Sequence, residues 1–198
     1  IDLSDANGAL GPLTPNANRT VWTATFTPRV NDNSWASAIY VNLAGVRDDA
    51  GNAGTYTASS ANYSVDTVRP TATITLADSV LTVDETTTVT FRFNEPVNGL
   101  DASDIDLSNA NGTLSPLTPN ANRTIWTATY TPTAGASAGA NTIRANLAGV
   151  TDDAGNAGAD IASSGNYSVD TMCPMATVTL ADSALIVGET TTVTFRFN

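Results

Sequence analysis

Residues 1–94 return at residues 105–198 without a gap, at an offset of 104 and with 66 of 94 positions identical. IDLSDANGALGPLTPNANRTVWTATF at 1–26 becomes IDLSNANGTLSPLTPNANRTIWTATY at 105–130, and NLAGVRDDAGNAG at 42–54 becomes NLAGVTDDAGNAG at 146–158. A fixed internal period has to be read before any local motif. A period of 104 residues is too long for one solenoid turn and matches one whole small domain.

The phase of the repeat follows from its linker. SVDTVRP at 64–70 returns as SVDTMCP at 168–174, and a strand-like run follows each proline. On this reading, residues 1–66 are the later part of one repeat, 67–170 are a complete repeat, and 171–198 are the first strands of another. Only Glu95–Asp104 occurs once. The chain therefore reads as an internal slice of something longer, with any targeting signal elsewhere.

Strand signals dominate the complete repeat. TTTVTFRF at 86–93 alternates, placing Val89, Phe91 and Phe93 on one face and Thr88, Thr90 and Arg92 on the other. Residues 71–76, 124–130, 142–150 and 167–169 are further β-branched or aromatic runs, punctuated by Gly, Asn, Asp and Pro. No segment keeps a helical period, and Gly135 and Gly139 break the Ala-rich stretch 134–140. About seven short strands in about 100 residues predict an antiparallel sandwich. Trp22 and Trp126 are expected in the core, between sheets. Tyr63 and Tyr167 are expected as packing or corner tyrosines. Trp35, which has Gly139 opposite it in the repeat, is expected on an exposed loop.

Charge and composition remove several classes of function. Nineteen acids, sixteen of them Asp, stand against eight Arg and no Lys, for a net charge of −11. Such a surface repels nucleic acid and anionic lipid. There is no His and one Cys, Cys173. That excludes Ser-His-Asp and Cys-His catalysis, histidine zinc sites and an internal disulfide. No run approaches the ~18 apolar residues of a membrane helix, so no membrane insertion is expected. Paired loop carboxylates could suggest a glycosidase, but each pair recurs in tandem, and no enzyme is expected.

FNEPVNGLDASDIDLSNANGTLS at 93–115, DDAGN at 152–156 and DTVRP at 66–70 resemble the bacterial immunoglobulin-like repeats found in long arrays in giant surface adhesins. The resemblance covers the whole chain, as one full copy and two partial ones. It implies tandem immunoglobulin-like antiparallel β-sandwiches, all-β, on the outside of a bacterial cell, acting as stalks that Ca²⁺ often stiffens between domains. The second linker departs from the pattern: MCPM stands at 172–175, with Cys173 at the position of Arg69.

In that topology the incoming linker, the loop after the second strand and the loop before the last strand share one pole. Asp66, Glu95, Asp101, Asp104, Asp152, Asp153 and Asn156 would meet there, and Asp48, Asp49 and Asp170 are the 104-residue equivalents of Asp152, Asp153 and Asp66. Ca²⁺ takes 6–8 oxygen ligands, and short carboxylates on loops suit it. The other reading of DDAGN is an Asx-type turn in which Asp and Asn bond local backbone. Arg69 is the obvious local neutraliser of the cluster.

Two architectures follow. The first is a covalent stalk whose partners are neighbouring repeats, each adding about 30 Å of strand length. The second is a non-covalent fibre or sheath of identical chains, in which 171–198 of one chain supply by strand addition what 1–66 of the next lacks. A lectin-like module is a third class, although the Thr-rich faces offer no distinct pocket.

Overall fold

The computed structural model describes residues 1–198. Its regular structure is short β-strands and three single-turn 3₁₀ helices, Leu43–Gly45, Ala102–Asp104 and Leu147–Gly149. No helix is long and apolar enough to cross a membrane. The chain divides into two compact units. One holds Ile1–Thr71, Phe93–Leu100 and Leu147–Asp160; the other holds Ala72–Arg92, Asp101–Asn146 and Ile161–Asn198.

In the second unit the strand Thr87–Phe93 pairs antiparallel with Ile125–Pro132, from Thr87 opposite Tyr130 to Arg92 opposite Ile125. Ala72–Leu76 lies on its other side, and Gly112–Leu114 and Thr118–Pro119 pair with the far edge of Ile125–Pro132. Alternation along Thr87–Phe93 follows its period of two: Val89, Phe91 and Phe93 are buried while Thr88 and Arg92 are exposed. Fully burying such a Val or Phe side chain contributes about 1.5–3 kcal/mol. A second sheet runs Val80–Leu81, Tyr167–Asp170, Ser137–Asn141, its first pair parallel and its second antiparallel. A third runs Ile105–Asp106, Arg144–Asn146, Ile161–Ser163.

Two tyrosines join Phe91 among the enclosed aromatics of this unit. Tyr130 and Tyr167 meet edge to face, ring centroids 5.4 Å apart, and both hydroxyls donate to the carbonyl of Ala110, Tyr167 at 2.8 Å. Burial pushes both phenols above the ordinary tyrosine value. Gly112 is required beside them, because a Cβ there would sit 2.4 Å from the Tyr130 ring. Of the two readings expected for Tyr167, packing and corner, the structure bears out packing: its hydroxyl reaches a carbonyl 57 residues away. Trp126 is not the core residue expected. It shares a face with Ala128 and Tyr130 but stays half-buried, its indole N–H donating to the Arg123 carbonyl. Ser137–Asn141 is a strand despite its small residues and an irregular register between Ala138 and Asn141. Asn141 holds it, fully buried and donating to the Tyr167 carbonyl at 3.2 Å.

In the first unit, residues 1–66 form four two-stranded ribbons. These are Gly8–Leu10 with Phe26–Pro28, Thr14–Pro15 with Trp22–Thr23, Asn33–Ser37 with Tyr63–Asp66, and Tyr40–Asn42 with Thr57–Ser59. Local chemistry repeats that of the other copy: Tyr63 donates to the Ala6 carbonyl at 2.7 Å and meets Phe26 edge to face. One difference is informative. IWTATYTP at 125–132 is a single strand, whereas VWTATFTP at 21–28 breaks into Trp22–Thr23 and Phe26–Pro28. The first has partners on both edges and the second on one only. Cross-strand pairing, more than intrinsic propensity, keeps such a strand continuous. Trp22 is accordingly exposed. Trp35 is exposed as expected, but it lies on the strand Asn33–Ser37 and not on a loop.

Candidate metal centre

Residues 66–71 are held at many points. The Thr67 hydroxyl donates to the Arg29 carbonyl at 2.6 Å and accepts from the Asp32 N–H at 3.0 Å. Asp66 Oδ1 accepts from the Val68 N–H at 3.1 Å in an Asx-type turn, and Pro70 is fully buried. Asn94 closes the segment, accepting from the Thr71 N–H at 2.7 Å and donating to the Arg69 carbonyl at 3.3 Å. These bonds place the Asp66 carboxylate at the end of the strand Tyr63–Asp66.

Glu95 and Asp152 arrive from two other segments of the same unit. Val97–Asn98 pairs antiparallel with Thr151–Asp152, Val97 opposite Asp152. Val97 is fully buried and anchors that short ladder. Gly99 follows with φ +85°, and a Cβ there would lie 2.9 Å from the Gly149 carbonyl, so the tight approach needs glycine. Each of Asp66, Glu95 and Asp152 offers a carboxylate oxygen within 4.8 Å of the other two; Asp152 is buried and the others half-buried.

Asn156 links two of these segments, its own and that of Asp66. Its side-chain amide donates to Asp152 Oδ2 at 2.7 Å and to the Asp66 carbonyl at 3.1 Å, and its N–H donates to Asp152 Oδ1 at 2.8 Å. The Asx-type turn expected of DDAGN is therefore present. The same turn stands at Asp48 and Asn52, where Oδ1 accepts from the Asn52 N–H at 2.8 Å and Oδ2 from its amide at 2.9 Å, in full exposure. Turn formation does not exhaust the Asp152 carboxylate, since each ionised oxygen has a second acceptor site.

Burial first, then the charges of Asp152 and Asp66, hold the Glu95 carboxyl above its ordinary value, with a hydrogen bond from Asn94 opposing. No cationic side chain is among the causes. The Arg69 guanidinium, the neutraliser expected from the sequence, donates to the Ala157 carbonyl at 2.9 Å. The donor set fits a hard cation. Two oxygens each about 2.4 Å from one ion lie at most about 4.8 Å apart, and Ca²⁺ accepts carboxylates and backbone carbonyls together.

The remaining candidates are occupied differently. Asp101 and Asp104 form a reciprocal capping box around Ala102–Asp104: Asp101 Oδ1 accepts from the Ser103 N–H at 2.7 Å and Asp104 Oδ2 from the Asp101 N–H at 3.0 Å. Those bonds hold the Asp101 carboxyl below its usual range. Asp153 accepts from the Asn98 amide at 3.0 Å. Asp49 is exposed beside the Asp48 turn, and Asp170 accepts from the Met172 N–H at 3.3 Å. The bridging Asn156 is the residue whose role the sequence understated. Its signal was the joint recurrence of Asp and Asn four apart, at 48/52 and 152/156.

Paired β-sheets in tandem, packing tyrosines and an anchored linker define a class of β-sandwich repeat. The bacterial Ig-like domain family matches twice in succession, over residues 1–65 and 66–169. The chain belongs to that family. Among curated proteins nothing matches. Among solved structures, a match is to FdeC, described as a novel, broadly conserved Escherichia coli adhesin eliciting protection against urinary tract infections. The identity is 16% and the TM-score 0.37, over all of this chain and 60% of that one.

Proposed function

We propose that this chain is a structural extender, part of the stalk of a bacterial cell-surface adhesin, and that it performs no catalysis. Residues 67–170 are its complete repeat, 1–66 the later part of the preceding one, and 171–198 the opening strands of the next. Its partners are the neighbouring repeats. Two consecutive matches to one immunoglobulin-like family in a single chain support the tandem design.

The observation that carries the mechanical reading is the Asn156 amide shared between Asp152 and the Asp66 carbonyl, because it ties the last strand of one copy to a loop of the next. Ca²⁺ held by Asp66, Glu95 and Asp152 would offset the mutual repulsion of the carboxylates and lock that joint. Backbone carbonyls and water would complete the shell. Small-angle scattering of chains lengthened by whole 104-residue units tests the stalk. The maximum dimension should grow by a fixed step of about 30 Å or a little more per unit in Ca²⁺. Compact chains that do not lengthen would reject it.

A further inference from the structure

Trp35 is 80% exposed on the strand Asn33–Ser37. A single exposed aromatic is ordinary on a protein surface. This one, however, has no part in folding, because the complete copy carries Gly139 at the equivalent position. Its exposure belongs to the repeat itself: Gly139 is exposed too, and a Cβ there would meet nothing within 4 Å. The backbone that presents Trp35 is also strained. Ala36 has φ +116°, a conformation costly for any residue with a Cβ, and the equivalent Ala140 does not share it.

An open cleft lies beside the indole. Asn33 and Ser34 line it from the first of the two family matches, and Asp66, Asp153 and Ala154 from the second. Ligand sites form preferentially at such boundaries between domains. The Asn33 amide donates to Asp66 Oδ2 at 3.4 Å, which keeps amide and carboxylate side by side at one edge of the aromatic face. A second depression, lined by Ser4 and Asp5, opens on the other side of Trp35, and the equivalent Ser108 and Asn109 are exposed in the complete copy. A flat apolar ring bordered by amide, hydroxyl and carboxylate groups is complementary to a pyranose, which presents C–H groups on one face and hydroxyls around its rim. Charge then selects among sugars. Asp5, Asp66 and Asp153 line the two depressions with no cationic side chain among their walls, on a chain of net charge −11. Uronic and sialic acids are repelled from such a surface, and neutral sugars are not.

We propose that Trp35 is the stacking platform of a binding site for neutral glycans, placed where one repeat meets the next. The ring covers the apolar face of one sugar, and Asn33, Ser34 and Asp153 bond its hydroxyls. The copy that carries Trp35 has the site and the copy that carries Gly139 lacks the platform, so binding is a property of individual repeats within one scaffold. A chain can lengthen without binding sugar and bind sugar without lengthening, so this inference and the stalk reading fail separately.

The experiment is retention of the 198-residue chain, in Ca²⁺, on immobilised neutral glycans built of hexoses and N-acetylhexosamines, beside acidic glycans bearing uronic or sialic acid. Calorimetric titration with the best-retained oligosaccharide follows. The unmodified chain should bind at least one neutral glycan and none of the acidic ones. Trp35→Gly, which installs the residue of the complete copy, should keep the melting temperature and weaken binding about tenfold. Trp35→Phe should lose less, and Asp153→Ala, on the other side of the joint, should weaken binding as well. Hexalysine, drawn by net charge alone, should bind the unmodified and Trp35→Gly chains alike. Failure to retain any neutral glycan, equal retention of neutral and acidic glycans, or unchanged affinity in the Trp35→Gly or Asp153→Ala chain overturns the inference. Binding of hexalysine alone that depends on Trp35 would overturn it too, in favour of a site for basic peptides.

Discussion

The side-chain amide of Asn156 donates to the backbone carbonyl of Asp66 at 3.1 Å, joining residues ninety positions apart. The same amide holds Asp152 Oδ2, so one side chain fixes both a strand end and a candidate ligand. In the preceding copy Asn52 makes only the bonds within its own turn.

That pairing predicts an asymmetric mutational result. Asn156→Ala should cost about 1–3 kcal/mol, because it removes a neutral hydrogen bond from the half-buried Asp66 and a charge-assisted one from the buried Asp152. Asn52→Ala, on an exposed turn, should leave the melting temperature almost unchanged. Urea denaturation of the two variants measures the difference.

The shared carbonyl of Ala110 predicts non-additivity. Tyr167→Phe and Tyr130→Phe should each cost about 1 kcal/mol, since the other hydroxyl still satisfies the carbonyl. The double variant leaves a buried acceptor unpaired and should cost more than the sum. Phe26 already occupies the position of Tyr130 in the other copy, where Tyr63 alone serves the equivalent carbonyl of Ala6. A double-mutant cycle reads the coupling.

How far the sequence disclosed all this differs by residue. The alternation of Val89, Phe91 and Phe93 was legible because a strand of period two admits one buried face. The burial of Tyr130 in preference to Trp126 was not, since both lie on the same strand face and enclosure depends on Gly112 and Tyr167 from distant segments. Ser137–Asn141 was invisible because its small residues have low strand propensity and Asn141 secures it through long-range bonds. Among the acids, composition could not separate Asp101 and Asp104, which cap a 3₁₀ turn, from Asp66, Glu95 and Asp152, which face one another. Asp serves both purposes, and only the packing of separate segments decides.

Glu95 predicts a pH signature. Burial, then Asp152 and Asp66, raise its carboxyl in the folded state. An acid with a raised folded value carries a penalty at neutral pH that disappears as pH falls through that value toward the unfolded one. In chelator, lowering the pH from neutrality toward the ordinary carboxylate range should therefore raise stability. Glu95→Gln should lack this rise. Asp48, Asp101 and Asp106 have lowered values, so their contributions fade only at more acidic pH, with the opposite sign. Thermal melts of both proteins across that range in chelator check it, and an identical pH dependence would count against the clustering of the three acids.

The most direct measurement is the thermal unfolding of residues 1–198 with Ca²⁺ and with chelator, beside the Asp66→Asn, Glu95→Gln, Asp152→Asn triple variant. Binding to the folded state alone stabilises by about 2.7 kcal/mol at a hundredfold excess over Kd. In Ca²⁺ the melting temperature of the unmodified chain should shift clearly upward and that of the variant should not move. Equal melting temperatures with and without Ca²⁺, or an equal rise in both proteins, would contradict a calcium-locked joint.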